Sequence, residues 1–450
     1  MDQISAEEGL GLTRGLAEFT VSFTLDKAPE RAVENAKTII LDCFGVSVLA
    51  TAQEIGAAVL RFAEAAAAPG PCSVWGTRVR ASARDAVLLN GTLAHGLDFD
   101  DANHSSTYSL AAPAALAERD DLPGARLLES FIVAREVRNC LDGLFVDRNA
   151  GQGPGAKGWH SNGVLGPIAS ACGAAKSLDL DIDRTLAAIG LAAGSCGALT
   201  RDGGTMAKPF RTGHAAAAGL TSALLAQSGF SSDDTVLEGR YGFLEALGPL
   251  PDGMAETLGA NLGRVFDLES EVRAKRYAAC WASQGGLEAM LRLVGRHAIE
   301  PNSVAEIASD LKPYPLLRRI PARGIEGRFS MPFCLALALV RGDVSFDGFT
   351  DANVADPAIR DLMERTRHVP DASALTVTLK DGRVLTEPLT RRGSLKTREE
   401  IAEKFRRCVG GVLPGRQAER IIGAIGTLET LASVRALTAE LRRAAESEAA

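Results

Sequence analysis

The sequence predicts a mainly α protein: a large all-helical domain followed by a smaller α+β domain. Three observations predict it. At 450 residues the chain exceeds what one compact core usually accommodates. Helical periodicity dominates residues 1–262, and a terminal stretch at 399–450 returns to it. Strand alternation and a hairpin turn fall only within residues 263–398.

The helical elements can be justified in order. RAVENAKTIILDCFGVSVLA places Val33, Ala36, Ile40, Cys43 and Phe44 at three- and four-residue steps, the repeat of one helix face. LLESFIVAREVRNCLDGLF, LGPIASACGAAKSL, DIDRTLAAIGLAAGSCGAL and GHAAAAGLTSALLAQSG follow suit, and their alanines and glycines let helices approach closely. After residue 263, VAEIASDLKPY reads as a strand, and FSMPFCLALALVRG as a helix closed by Gly342 after Arg341. In SALTVTLKDGRVLTEPL, Leu375, Val377 and Leu379 alternate with polar neighbours, and Asp381-Gly382 marks a two-residue hairpin turn. TREEIAEKF opens the returning helical segment, expected to pack on the first domain, and ESEAA at the end reads as disordered.

Composition narrows the function. Hydrophobic residues make up 46% with mean hydropathy near zero, and no apolar run reaches the roughly 18 residues of a membrane span. The opening MDQISAEEGL is acidic where a secretory signal would be basic and then apolar; the expected location is cytoplasmic. A net charge of −7 with interspersed signs argues against a nucleic-acid or anionic-membrane surface. Eight cysteines without a C-x-x-C pair read as reduced thiols, not as a zinc or iron–sulfur centre.

Chemistry concentrates in three stretches. AHGLDFDD, residues 94–101, sets Asp98, Asp100 and Asp101 beside His95 among apolar neighbours, against charge repulsion and desolvation. These acids have three readings: helix-cap or turn residues; Mg²⁺ ligands or a cyclase proton donor; or general acid/base catalysis by Asp98 with an imidazole. An aromatic content of 5% leaves little lining for the carbocations of a cyclase. GQGPGAKGWHSNGVLGP leads through Trp159-His160 into a helix; no strand precedes it, so a loop presenting His160 is favoured over a nucleotide cradle, the alternative being a buried Trp-His pair. RDGGTMAKPFRTGHAAAAG sets Lys208 and Arg211 before a small-residue helix, as a carboxylate receptor or as a solvated surface pair. Lys275 and Arg276 in RAKRYAACWASQ carry the same two readings.

Taken together, LNGTLAHGLDFDD, GWHSNGVLGPIASACGAAKSL, GTMAKPFRTGHAAAAGLTSALLA, KRYAAC and FSMPFCLALALVRGDVS with KDGRVL resemble the MmgE/PrpD family, which includes 2-methylcitrate dehydratases, cis-aconitate decarboxylases and iminodisuccinate epimerases. The resemblance implies a helical domain, an α+β lid domain, a homodimer, no required metal or organic cofactor, and a pocket for a small di- or tricarboxylate substrate. Carried over by motif, it gives Asp98, His160, Lys208 and Lys275 functional roles. It also shows departures. Ala102 stands where the family has Thr or Ser, Ala278 replaces a proline, and Gln284 stands where a histidine commonly follows. A histidine that decarboxylases of the family can carry falls at Cys280. The family's H-P-[SG] histidine maps to His104, Ser106 or Tyr108, with His104 favoured.

The expected activity is a dehydratase acting on a hydroxylated di- or tricarboxylate. Asp98 and His160 are its acid and base in an order left open, with His104 a third candidate, while Lys208 with Arg211 or Lys275 neutralises carboxylates and the developing enolate charge. A cation and a carboxylate at about 4 Å attract by roughly 4 kcal/mol at an effective dielectric near 20. The alternatives are an epimerase of an amino- or imino-dicarboxylate and a catalytically inactive family member with a binding role.

Overall fold

The computed structural model describes residues 11–145, 153–270, 272–310, 320–389 and 394–443; the N-terminal ten residues and the ESEAA tail, both read above from sequence, lie outside them. The molecule is mainly helical, with a few small sheets. Helix Glu30–Thr51 runs through the interior, buried on all sides from Ala36 to Ala50. Three- and four-residue spacing therefore understates it: over that span the helix has no solvent face. Its polar residues are answered from the far end of the chain. Lys37 pairs with Glu429 at 3.0 Å and Asp42 with Lys404 at 2.7 Å. Helices Arg398–Val409 and Gly415–Gly426 consequently pack against it.

Helices Ala83–His95, Ser105–Arg119 and Gly124–Asp142 pack on this axis, and beyond them lie Ser161–Ser177, Ile182–Ala193 and Ala207–Gln227. Small residues allow two close crossings of the last of these. A Cβ on Gly91 would stand 2.8 Å from the Gly213 Cα, and one on Gly219 would stand 2.6 Å from the Pro167 carbonyl. Pro167 lacks the N–H that would bond to the Gly163 carbonyl. Gly197 N donates to that carbonyl instead, at 2.9 Å, which fastens the 197–200 segment to the start of helix Ser161–Ser177.

The second part carries a four-stranded sheet in the spatial order Thr366–His368, Val304–Ser309, Ala374–Leu379, Val384–Pro388, with the first pair parallel and the others antiparallel. Leu375, Val377 and Leu379 are buried, as their alternation predicts. The hairpin differs from expectation. Leu379 N donates to Arg383 O at 2.8 Å, so the loop holds three residues, Lys380, Asp381 and Gly382, where Asp381-Gly382 alone was expected. Gly382, at φ +90°, supplies the left-handed closing residue of such a three-residue loop. Helix Met331–Arg341 ends at Gly342 with φ +67°, as read from the sequence.

Two short contacts join this part to the acidic stretch: Asp101 bridges Ala274, and Ala102 N donates to Arg273 O at 2.9 Å. Strand Ala274–Lys275, paired with Ser394–Leu395, is thereby held beside the aspartates. The eight cysteines are free thiols. Among the described residues no single helix is long and apolar enough to cross a membrane.

Candidate active site

Helix Ala83–His95 stops at His95, and the chain reverses through Asp98, whose φ is +51°. Aspartate tolerates this left-handed conformation better than most side chains. The turn aims the Asp98 carboxylate at two lysines from distant segments. Lys208, in the first turn of helix Ala207–Gln227, donates to Oδ1. Lys275 donates to Oδ2 at 2.9 Å and to the Asp98 carbonyl at 2.8 Å. All three side chains are buried. Burial opposes ionisation of Asp98, yet the two ammonium groups hold its carboxyl well below the usual range. Lys208 stays protonated: burial disfavours its charge, and Asp98 more than restores it.

Asp100 points the other way, into two imidazoles. His104 Nδ1 lies 3.0 Å and His95 Nδ1 3.2 Å from its Oδ2. An ionised carboxylate only accepts, so each ring carries its proton on Nδ1. His104, itself left-handed at φ +59°, turns its Nε2 to within 3.6 Å of Asp98 Oδ1. Burial first, then Lys208 and Lys275 working against Asp100, pushes this imidazole down to about 3. His104 is therefore neutral at physiological pH, with a lone pair on the Nε2 that faces Asp98. Asp101 has a third set of partners: Arg135 at 2.7 Å, Ser106 Oγ at 2.7 Å and Ser105.

His95, Asp98, Asp100 and His104 bring donor atoms within 4.8 Å of one another, a spacing a metal ion could use. The donor set does not fit one. Both Asp98 oxygens already face ammonium groups, and both Asp100 oxygens accept imidazole N–H, so a further cation would meet Lys208 and Lys275 at close range.

The other sequence candidates are placed as follows. His160 caps helix Ser161–Ser177, its Nδ1 accepting from Asn162 N at 3.4 Å, while its backbone N donates to Ala198 O. Arg211 donates to the Leu199 carbonyl and pairs with Asp202. Trp159 bridges Leu199, so the His160 turn and the start of the Lys208 helix are braced together through residues 199–202. Of the three positions weighed for one histidine, His104 contacts Asp98 and Asp100, Ser106 hydrogen-bonds Asp101, and Tyr108 is fully buried.

Sequence reasoning missed three supports. Lys404, some 305 positions downstream, donates to the Phe99 carbonyl at 2.6 Å and lies 3.8 Å from the Phe99 ring centroid. Arg328 donates to the carbonyls of Leu97 and Ala278, pinning the segments that carry Asp98 and Lys275. Burial lowers its guanidinium to about 10. Arg135 joins Asp101 to Asp267. Only the polar residue within an apolar helix, visible for Arg135 in ESFIVAREV, offered a signal.

Residues 14–252 match the MmgE/PrpD N-terminal domain and residues 277–430 the MmgE/PrpD C-terminal domain. The chain belongs to the MmgE/PrpD family. Among curated MmgE/PrpD-like relatives, cis-aconitate decarboxylase from Homo sapiens is 26% identical over 94% of this chain and 92% of its own. The Mus musculus cis-aconitate decarboxylase is 25% identical over 96% and 93%, and 2-methylcitrate dehydratase from Cupriavidus necator is 26% identical over 79% and 81%. In this MmgE/PrpD chain the departures acquire physical settings. Gln284 accepts from Tyr277 N at 3.2 Å and donates to the carbonyls of Tyr277 and Ala279, each at 3.0 Å, clamping the turn after Lys275. Cys280 lies in the field of Asp98, Lys275 and Lys208, and burial raises its thiol. Ala102 lines a small recess with Asn103, Arg135 and Asp267.

Proposed function

We propose that this protein is a lyase that removes water from a small hydroxylated di- or tricarboxylate, as a 2-methylcitrate dehydratase does. The observation that carries the reading is Asp98 held between Lys208 and Lys275, with the neutral Nε2 of His104 3.6 Å from it. Lys208, Lys275 and the buried Arg328 against the ionised Asp98 and Asp100 leave a positive excess in a buried place, which a substrate carboxylate would balance. The same ammonium groups would stabilise the enolate-like charge that grows when the neighbouring carbon loses its proton. His104 takes that proton on Nε2, while Nδ1–H stays on Asp100 and fixes the ring. The C–O bond then breaks and the hydroxyl leaves as water with a proton from an acid, the role for which His160 is the candidate. Asp98, firmly ionised and capped by two ammonium groups, serves to hold the lysines apart and in place; its fixed charge suits neither proton donation nor strong basicity.

Whole-length similarity to cis-aconitate decarboxylases favours one second reading, in which CO₂ leaves from the same bound acid and the carbon it departs from takes up the proton. One experiment separates the two. Purified protein is incubated with methylcitrate, citrate and cis-aconitate, following both the absorbance of a new alkene and release of CO₂. Alkene formation that falls by about 10²-fold or more in His104→Gln, a loss typical of a general base, is expected. CO₂ release without dehydration selects the second reading. A folded protein that turns over none of these acids, and whose melting temperature none of them moves, removes both.

A further inference from the structure

We infer that His95 is a positioning residue that sets the basicity of His104 through the Asp100 carboxylate they share. The inference rests on the reading of His104 as the base. His104 lies between two carboxylates, Asp98 and Asp100, which pull it toward the imidazolium against the cost of its burial. On the Asp98 side that pull is offset by Lys208 from helix Ala207–Gln227 and Lys275 from strand Ala274–Lys275. On the Asp100 side the described offset is His95, from the end of helix Ala83–His95.

The geometry supports donation over mere packing. Both oxygens of Asp100 lie 3.2 Å from His95 Nδ1 and 3.0–3.1 Å from His104 Nδ1, and the two ring centroids are 4.2 Å apart. His95 Nε2 is buried with no hydrogen-bond partner among the described residues. A buried, unsatisfied ring nitrogen destabilises the fold, and an apolar ring in this place would avoid that cost. What an apolar ring lacks is the Nδ1–H directed at Asp100. The groups that face His95 are Asp100, Asp98 and Lys208, and those that face His104 are Asp100, Asp98, Lys208, Lys275 and His95. His95 is the neutral donor in the second set. By drawing charge from Asp100 it keeps the Nε2 of His104 unprotonated and available.

The test uses the full chain carrying ¹⁵N-histidine, with ring resonances followed against pH in the wild type, His95→Leu and His95→Asn. In the wild type both rings are expected as neutral Nδ1–H tautomers. In His95→Leu the protonation midpoint of His104 rises by at least about one unit, a tenfold gain in proton affinity, so the ring becomes cationic at pH values where the wild-type ring is neutral. His95→Asn, whose amide also donates, returns the midpoint toward the wild-type value. A His104 ring that remains neutral in His95→Leu wherever it is neutral in the wild type overturns the inference. Should His95→Leu fail to fold, the wild-type spectrum alone decides: His95 protonated on Nε2 overturns it, and on Nδ1 supports it. Ring titration needs no substrate, so an inert enzyme with a displaced midpoint counts against the proposed function and not against this role. Where turnover is measurable, the acid limb of kcat/KM in His95→Leu moves upward with the midpoint.

Discussion

Asp98, Asp100 and Asp101 lie within four positions of one another, and each faces a separate counter-group: two lysines, two imidazoles, and an arginine with two serines. Close spacing in sequence therefore does not become close competition for one cation. Glu136 shows the contrast. It is equally buried and accepts from the backbone N–H groups of Asp267 and Leu268, but burial dominates and raises its carboxyl to about 7. An acid whose folded value is raised binds its proton more tightly folded than unfolded. Stability from this group is thus greatest below its unfolded value and declines as pH rises toward 7. Glu136→Gln is expected to become more stable relative to the wild type by about 2 kcal/mol between pH 5 and 8, measured by denaturant unfolding at each pH. A difference that does not change with pH would show that Glu136 is already ionised. At this scale the sequence was informative where chemistry clustered: residues 94–101 flagged the acids, while His104 was favoured only through the family resemblance, beside Ser106 and Tyr108. Which acid faced which cation was illegible, because partners 110 and 177 positions away leave no local pattern.

At the scale of elements, the site depends on two helices lying almost backbone to backbone. Helix Ala83–His95 delivers the turn that presents Asp98, and helix Ala207–Gln227 presents Lys208. They cross at Gly91 and Gly213. A Cβ on Gly213 would run into the Leu88 carbonyl and the Thr92 backbone N, neither of which can retreat without moving its helix. Gly213→Ala is expected to separate the helices and withdraw Lys208 from Asp98. Overpacking of this kind typically costs about 1–3 kcal/mol, and turnover should fall further than stability does. Thermal unfolding read beside kcat/KM checks this; an alanine variant with wild-type values on both counts would refute it. The helices themselves were readable from apolar spacing, and abundant alanine and glycine signalled close approach. Which glycines meet was not readable, since a crossing point depends on the rotation of two cylinders that periodicity leaves free. The hairpin was likewise legible in kind and off by one residue in length, because Gly382 sets the turn from its left-handed backbone.

Across the whole molecule, the returning helix Arg398–Val409 does more than cover the interior. Lys404 grips the Phe99 carbonyl, midway between Asp98 and Asp100, while pairing with Asp42 of the central helix. Replacement by methionine keeps the length of the side chain and removes the charge. Lys404→Met should leave Asp42 buried without its counter-charge, a loss of about 3–5 kcal/mol for a broken buried pair, and should loosen the acidic turn. The double variant Lys404→Met, Asp42→Leu should recover much of the stability but not the positioning of Phe99. Melting temperature and turnover of the two proteins compare the effects, and recovery of both together would show that Lys404 only balances charge. The sequence foretold that this segment is helical and folds back; among the four basic residues of REEIAEKFRR, Lys404 could not be distinguished as the one that reaches the site.

Because the brace on Phe99 comes from 305 positions downstream, a ribosome must add that much more chain after the acidic turn before the Phe99 carbonyl can meet its ammonium partner. Unfinished copies, and copies clipped by a protease upstream of that helix, would lack the brace even with every aspartate and histidine of the acidic turn already in place.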